Sequence, residues 1–233
     1  MIQRIPADDR FSLDAGWLQA KWHFSFGHYT DRNNMHWGAL RVFNDDVVQA
    51  GGGFDMHPHN DMEIISYIYE GGLKHQDSMG NEFTTTRGGV QVMSAGSGVM
   101  HAETNPGDVP VRLNQIWIFP RHKGSAPRWA QKNFDSSLNT GEWVPLVSDE
   151  GAIPGTLPID QDAILSVARP EAGKSLSYPA REERYLYLFV GTGEVQIGET
   201  MFAEGDQARI HGESSLVVHA NKASELLLLD LPE

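Results

Sequence analysis

Cysteine is absent from the 233 residues. That absence removes disulfide frameworks, thiolate metal sites, Fe–S clusters and cysteine nucleophiles together. Any bound metal must therefore be held by histidine and carboxylate. Basic charge is scarce as well: 18 Lys and Arg stand against 31 Asp and Glu, a formal net charge of −13. Such a surface repels phosphate backbones, so direct nucleic-acid binding is not expected, and small molecules or other proteins are the expected partners. No apolar run reaches membrane-spanning length, and the opening MIQRIPADDRFSLDAG carries no apolar signal-peptide core. The expected location is cytoplasmic, away from membranes. A phosphate-cradling glycine loop, a dinucleotide fingerprint and a Gly-x-Ser-x-Gly elbow are also missing.

What the chain does contain is short apolar segments rich in β-branched and aromatic residues: Ala39–Phe43, Ile64–Tyr69, Gln115–Phe119, Tyr185–Val190 and Leu226–Leu231. These read as strands. Turn signals separate them, among them Asn44-Asp45-Asp46, Gly51-Gly52-Gly53, Gly71-Gly72, Gly80-Asn81, Gly88-Gly89 and Gly191-Thr192-Gly193. Helix is expected only in short pieces, for example around Asn133–Ser137. A weak internal repeat runs through the chain. EIISYIYEGGLKHQDSMG matches RYLYLFVGTGEVQIGET, and TTRGGVQVMSAGSGVMH matches MFAEGDQARIHGESSLVVH, each ahead of an apolar strand. The expectation is an all-β chain of two packed barrels, residues 1–135 and 136–233, joined somewhere in the polar stretch between about Arg121 and Gln161.

Two pairs of residues carry chemistry. In FDMHPHND, His57 and His59 are two apart, a spacing that on a strand points both imidazoles to one face, with Cα atoms about 7 Å apart. Pro58 between them cannot donate to a ladder and belongs at a strand end or rim, where a ligand could enter. In SGVMHAETNP, His101 and Glu103 repeat the same alternation. Facing each other, the two pairs form a cup of three neutral imidazoles and one carboxylate. Such a cup suits Fe(II), Mn, Co, Ni, Cu or Zn and leaves one or two positions for water or substrate.

Glu63 shares strand parity with His57 and His59, but it lies about 13 Å of extended chain beyond His59. It reaches the cup only if Asn60-Asp61 turn the backbone, and is otherwise an acceptor behind a ligand imidazole or an exposed carboxylate. Gln115 and Trp117, and Phe54 and Met56, are candidate pocket residues by parity and proximity, set against the ordinary reading of core side chains. The other histidines, His23, His28, His36, His75, His122, His211 and His219, lack the pairing and read as structural or exposed. Where the repeat would place ligands, the second half offers Tyr178-Pro179-Ala180, so no metal is expected in the second barrel.

These stretches resemble a known family. GGGFDMHPHNDMEIISYIYEGG and GSGVMHAETN resemble the two cupin motifs. WHFSFGHYTDRN, ALRVFNDDVV, HPHNDMEIISYIYEG, HQDSMGN and SAGSGVMHAETN resemble, more narrowly, the pirin family and its bacterial quercetinase-like members, strongly from about Trp22 to Pro120. The resemblance implies a bicupin of two jelly-roll-like double-stranded β-helix barrels, with one metal, commonly Fe(II), in the N-terminal barrel. Cupins in general take the acidic ligand at the position of Glu63, whereas the pirin pattern takes it at Glu103; both agree on His57, His59 and His101. The implied activity is a dioxygenase that opens the flavonol ring of quercetin-type substrates with O2 and releases CO, with Glu103 as catalytic base. Two alternatives accompany it: a metal- or redox-sensing regulator that binds a protein partner, and a cupin oxygenase acting on another small molecule.

Overall fold

The computed structural model describes residues 1–233 as four antiparallel-rich sheets in two equivalent sets. Each set has one seven-stranded and one four-stranded sheet. In the first, the seven-stranded sheet centres on Glu63–Glu70, flanked by Gly89–Ser94 and Val111–Ile118, and the four-stranded sheet runs Gly53–His59, Val99–Thr104, Gly72–Asp77, Glu82–Thr86. In the second, Tyr185–Thr192 takes the central place between Gln207–His211 and Glu225–Leu231. Its four-stranded sheet runs Ser175–Tyr178, Leu216–Ala220, Glu194–Ile197, Thr200–Ala203. The two orders match strand for strand, so the repeat read in the sequence is a repeat of the fold. Helix amounts to a 3-10 turn at Ala7–Asp9 and one α-turn at Asp135–Leu138. No helix is long and apolar enough to cross a membrane.

The chain departs from a simple two-block division at its start. Ile2–Ile5 pairs with Gln207–His211 at the edge of the second seven-stranded sheet. The corresponding edge of the first sheet is filled by Arg128–Asn133, paired with Gly89–Ser94. Each barrel thus borrows its edge strand from outside the repeat, and Val144–Asp149 begins the second set proper.

Strand alternation sorts the side chains. On Glu63–Glu70, the residues Ile65, Tyr67 and Tyr69 face the other barrel and join a core cluster with Leu165, Val167, Tyr187, Phe189, Leu227 and Leu229. Burial of such side chains is worth roughly 1.5–3 kcal/mol each, so the junction belongs to the core and is no hinge. Ile64, Ser66 and Ile68 face into the first barrel. The two barrel interiors differ sharply. The second is a continuous apolar cluster of 16 residues, in which Leu176 and Val218 are strand partners. The first is broken into clusters of eight and four, and polar side chains occupy the space between them.

Two local readings of the sequence differ from the fold. Asn44-Asp45-Asp46, expected as a turn, lies mid-strand in Leu40–Val48. Asn44 and Asp46 are buried and line the first barrel's cavity, while Asp45 on the opposite face pairs with Arg112 at 3.3 Å. Polar side chains placed inside a barrel mimic a turn in the linear sequence. The parity that linked Glu63 to the histidines is broken at Asp61, whose φ of +47° turns the chain from one sheet to the other.

Candidate metal centre

His57 and His59 sit on the edge strand Gly53–His59, beside Val99–Thr104, with His101 directly opposite His57 and Val99 opposite His59. Pro58 lies one residue from the end of that edge strand, where its missing N–H costs no ladder bond. The strands approach closely because residue 53 is glycine: a Cβ there would stand 2.5 Å from the Glu103 carbonyl oxygen and 2.7 Å from Thr104 Cα. Ring centroids are 4.5 Å apart for His57 and His101, 4.8 Å for His57 and His59, and 4.9 Å for His59 and His101. One ligand atom from each lies within 4.8 Å of the others.

These imidazoles fit a cation. The Nε2 atom of His101 is buried with no hydrogen-bond partner, and His57 Nδ1 is tied to the Asp55 carbonyl at 2.7 Å, which leaves its other nitrogen free. Burial and the neighbouring His57 push the His59 pKa down to about 4. Burial and the other histidines lower His101 further. Both rings are held as neutral lone-pair donors at pH 7, the form a metal requires.

Glu103 is two residues further along, past an irregularity that pairs it with Phe54. Its buried carboxylate accepts hydrogen bonds from Gln91 Nε2 at 2.5 Å, Gln115 Nε2 at 2.7 Å and Ser66 Oγ at 3.2 Å. Burial raises its pKa, although the nearby His75 and the donors from Gln115 and Ser66 oppose the rise. Its oxygen clusters with His75 and His101 rather than with all three cup histidines. Behind His101, His75 places Nδ1 3.4 Å from His101 Nδ1 and Nε2 3.0 Å from Asp77, and its ring stacks on Trp129 at 5.0 Å.

The cup forms one wall of a cavity of about 450 Å³, within the range of small-molecule sites. Five aromatic residues, Trp17, Trp22, Phe26, Phe54 and Trp117, form much of the remaining wall. Trp117 meets His59 edge to face at 4.9 Å, and its Nε1 is a buried donor without a partner. Asp46 adds a second buried acid, whose pKa is raised by burial and by Asp45 and Glu103.

Residues 6–118 match the family described as Pirin, and residues 146–231 match the Quercetinase C-terminal cupin domain. A Pirin-like protein of Caulobacter vibrioides is 44% identical over 99% of both chains. The chain belongs to the pirin family. Among other pirin relatives, a quercetin 2,3-dioxygenase of Escherichia coli K12 is 40% identical over 100% of this chain and 99% of its own. The crystal structure of the bacterial pirin YhhW from Escherichia coli in complex with nickel(II) superposes with a TM-score of 0.93, at 38% identity, covering 100% of this chain and 99% of that one.

Within this pirin fold the expected residues separate. His57, His59, His101, Glu103, Phe54, Gln115 and Trp117 line the cavity. Met56 is 50% exposed and lies outside the lining. Glu63 points to the opposite face of its strand, where it accepts a hydrogen bond from Ser94 Oγ at 2.6 Å and lines a separate cleft with Arg121 and Arg128. It lies apart from the histidine cup. Sequence reading passed over His75, Ser66, Gln91 and Asp46. A signal for the first was available: His75 and Asp77 show the same alternation as His57 with His59 and His101 with Glu103.

Proposed function

We propose that the chain is a metal-dependent dioxygenase that opens the flavonol ring of quercetin-type substrates with O2 and releases CO. The observation that carries this reading is the convergence of three imidazoles on one wall of a cavity that is also lined by indole and phenyl rings. Relatives named quercetin 2,3-dioxygenase across the full length support it. His57, His59 and His101 would hold the ion, with Glu103 as the carboxylate able to complete the set. Fe(II) is the favoured ion, although the donor set also accepts Mn, Co, Ni, Cu or Zn. A bound divalent ion would supply Lewis acidity toward the substrate's 3-oxygen and 4-carbonyl region, together with a centre for O2.

The protein's own groups do the rest. Trp17, Trp22, Phe54 and Trp117 form a slot for a flat, fused-ring molecule and exclude water from it. Trp117 Nε1 offers an unspent donor to a substrate oxygen. Glu103, whose burial increases its affinity for a proton, takes the proton of the flavonol 3-hydroxyl on its carboxylate oxygen. Gln91 and Ser66, donating to Oε1, and Gln115, donating to Oε2, hold that carboxylate in place.

The test is incubation of iron-loaded protein with quercetin in air, with parallel samples carrying the other first-row ions. Loss of flavonol absorbance together with CO release is expected; neither signal with any ion would remove the reading.

A further inference from the structure

A second cavity, of about 220 Å³, lies where the two barrels meet, remote in sequence from the histidine cup. Its lining joins Arg10, His23 and Asn34 from the first part of the chain to Gln207 and Arg209 from the second, with Asp9 the one carboxylate on its wall. Arg10 and Arg209 are each only 8% exposed, yet neither forms an ion pair. Arg10 Nη2 donates to the Ile5 carbonyl at 3.4 Å. Arg209 Nη2 donates to Asn34 Oδ1 at 2.6 Å and the His23 carbonyl at 3.5 Å. Arg10 Nε and Nη1, Arg209 Nε, Gln207 Nε2 and His23 Nε2 are buried without partners.

Asp9 is exposed at the wall and pairs with neither arginine, and the buried or half-buried carboxylates nearby are committed elsewhere. Asp206 is held by Arg4 at 2.7 Å and by the backbone N–H groups of Ala7 and Ala203; Asp45 is held by Arg112. The guanidinium faces do find aromatic rings, Arg209 over Phe24 at 4.6 Å and Arg10 over Phe189 at 5.8 Å. Ring faces attract the charge but accept none of the in-plane N–H bonds. Two unpaired buried cations in one cavity, with unspent donors on three further atoms of their own side chains and one on an amide, amount to a deficit of acceptor oxygens. Burial lowers the pKa of both arginines; Arg209 adds to the lowering at Arg10, while Tyr187, Asp45 and Asp206 oppose it there and Tyr187 and Tyr29 oppose it at Arg209.

We propose that this junction cavity binds a small oxyanion, a carboxylate or an inorganic oxyanion, through Arg10 and Arg209, with Gln207 Nε2 as a neutral donor. Planar guanidinium forks match the paired oxygens of either group, and the volume admits an anion of a few heavy atoms. Because Arg10 precedes the first barrel's strand Phe11–Asp14 and Arg209 lies on the second barrel's strand Gln207–His211, the anion ties the two barrels together.

Isothermal titration of phosphate and, separately, acetate into the full-length protein at constant ionic strength tests this and tells the two sources apart. Saturable one-to-one binding of at least one is expected, weakened at least tenfold in Arg10→Gln and in Arg209→Gln while metal content at the histidine cup stays unchanged. No saturable heat with either anion, or equal binding by wild type and both variants, would overturn it. Should the variants fail to fold, crystals of the wild-type protein grown with selenate decide the matter. An anomalous selenium peak within hydrogen-bond distance of both guanidinium groups is expected, and its absence, with waters alone in the cavity, would overturn the proposal.

Discussion

The Nδ1 atoms of His75 and His101 lie 3.4 Å apart, and the far nitrogen of His75 stands 3.0 Å from Asp77 Oδ2. The chain of bonds has one self-consistent direction. His75 Nε2–H donates to the carboxylate, which leaves His75 Nδ1 to accept from His101 Nδ1–H and frees the His101 Nε2 lone pair for a cation. Burial alone would raise the Asp77 pKa, but hydrogen bonds from His75, Asn81 and Met79 bring it below its ordinary value, so the acceptor at the end of the chain is ionised.

Replacing His75 with Phe keeps a ring against Trp129 but removes both hydrogen bonds. Metal affinity is expected to fall about 10- to 100-fold, as for loss of other groups that orient a metal-bound histidine, with the far-UV circular dichroism spectrum unchanged. Titration of Ni(II) or Fe(II) into the metal-free variant measures it.

Replacing Gly53 with Ala forces a Cβ to within 2.5 Å of the Glu103 carbonyl and 2.7 Å of Thr104 Cα. These are backbone atoms of the strand that carries His101 and cannot turn away. Urea unfolding of the metal-free variant is expected to show a loss of about 1–3 kcal/mol, the usual cost of overpacking, and metal binding should weaken with it.

The pH dependence follows from the low pKa of His59. In the unfolded chain a histidine titrates near 6.5, whereas folded His59 titrates at about 4. Between those values the unfolded chain binds the extra proton, so this group's contribution to stability is present above pH 6.5 and is lost as the pH falls toward 4. Glu103 and Asp46, whose pKa values are raised chiefly by burial, act in the opposite sense. The comparison of wild type with His59→Asn cancels them. The stability advantage of metal-free wild type over the variant is expected to shrink from pH 7 to pH 4.5, as read by urea unfolding at each pH.

Trp117 forms part of the cavity wall and touches His59. Trp117→Ala is expected to lower kcat/KM for quercetin by about 2- to 10-fold, the size of one lost aromatic contact, with metal content retained. Steady-state turnover alongside metal analysis separates the two effects.

Much of this was legible in the residues because strands write their faces into the sequence with a period of two. His57 with His59, and His101 with Glu103, share a face whatever the rest of the chain does, and the matched order of strands around Glu63–Glu70 and Tyr185–Thr192 follows from the repeat. The failures share a cause, since parity holds only within one strand. Asp61, at positive φ, carries the chain onto a different sheet and turns Glu63 away from the cup. His75 reaches His101 through cross-strand pairing of Gly72–Asp77 with Val99–Thr104, a relationship with no local signature. The Asn44-Asp45-Asp46 segment imitates a turn because its barrel holds polar groups where its twin holds leucine and valine. The docking of Ile2–Ile5 onto the far barrel depends on an open sheet edge some 200 residues away.

The most direct test of the central claim is the stoichiometry of gas release. Protein carrying one Fe(II) per chain, shown by metal analysis, is given quercetin and O2, and CO is measured against flavonol consumed. One CO per quercetin is predicted, with turnover and bound metal both lost in His101→Ala. A fully loaded wild-type protein that consumes no flavonol and releases no CO would contradict the account.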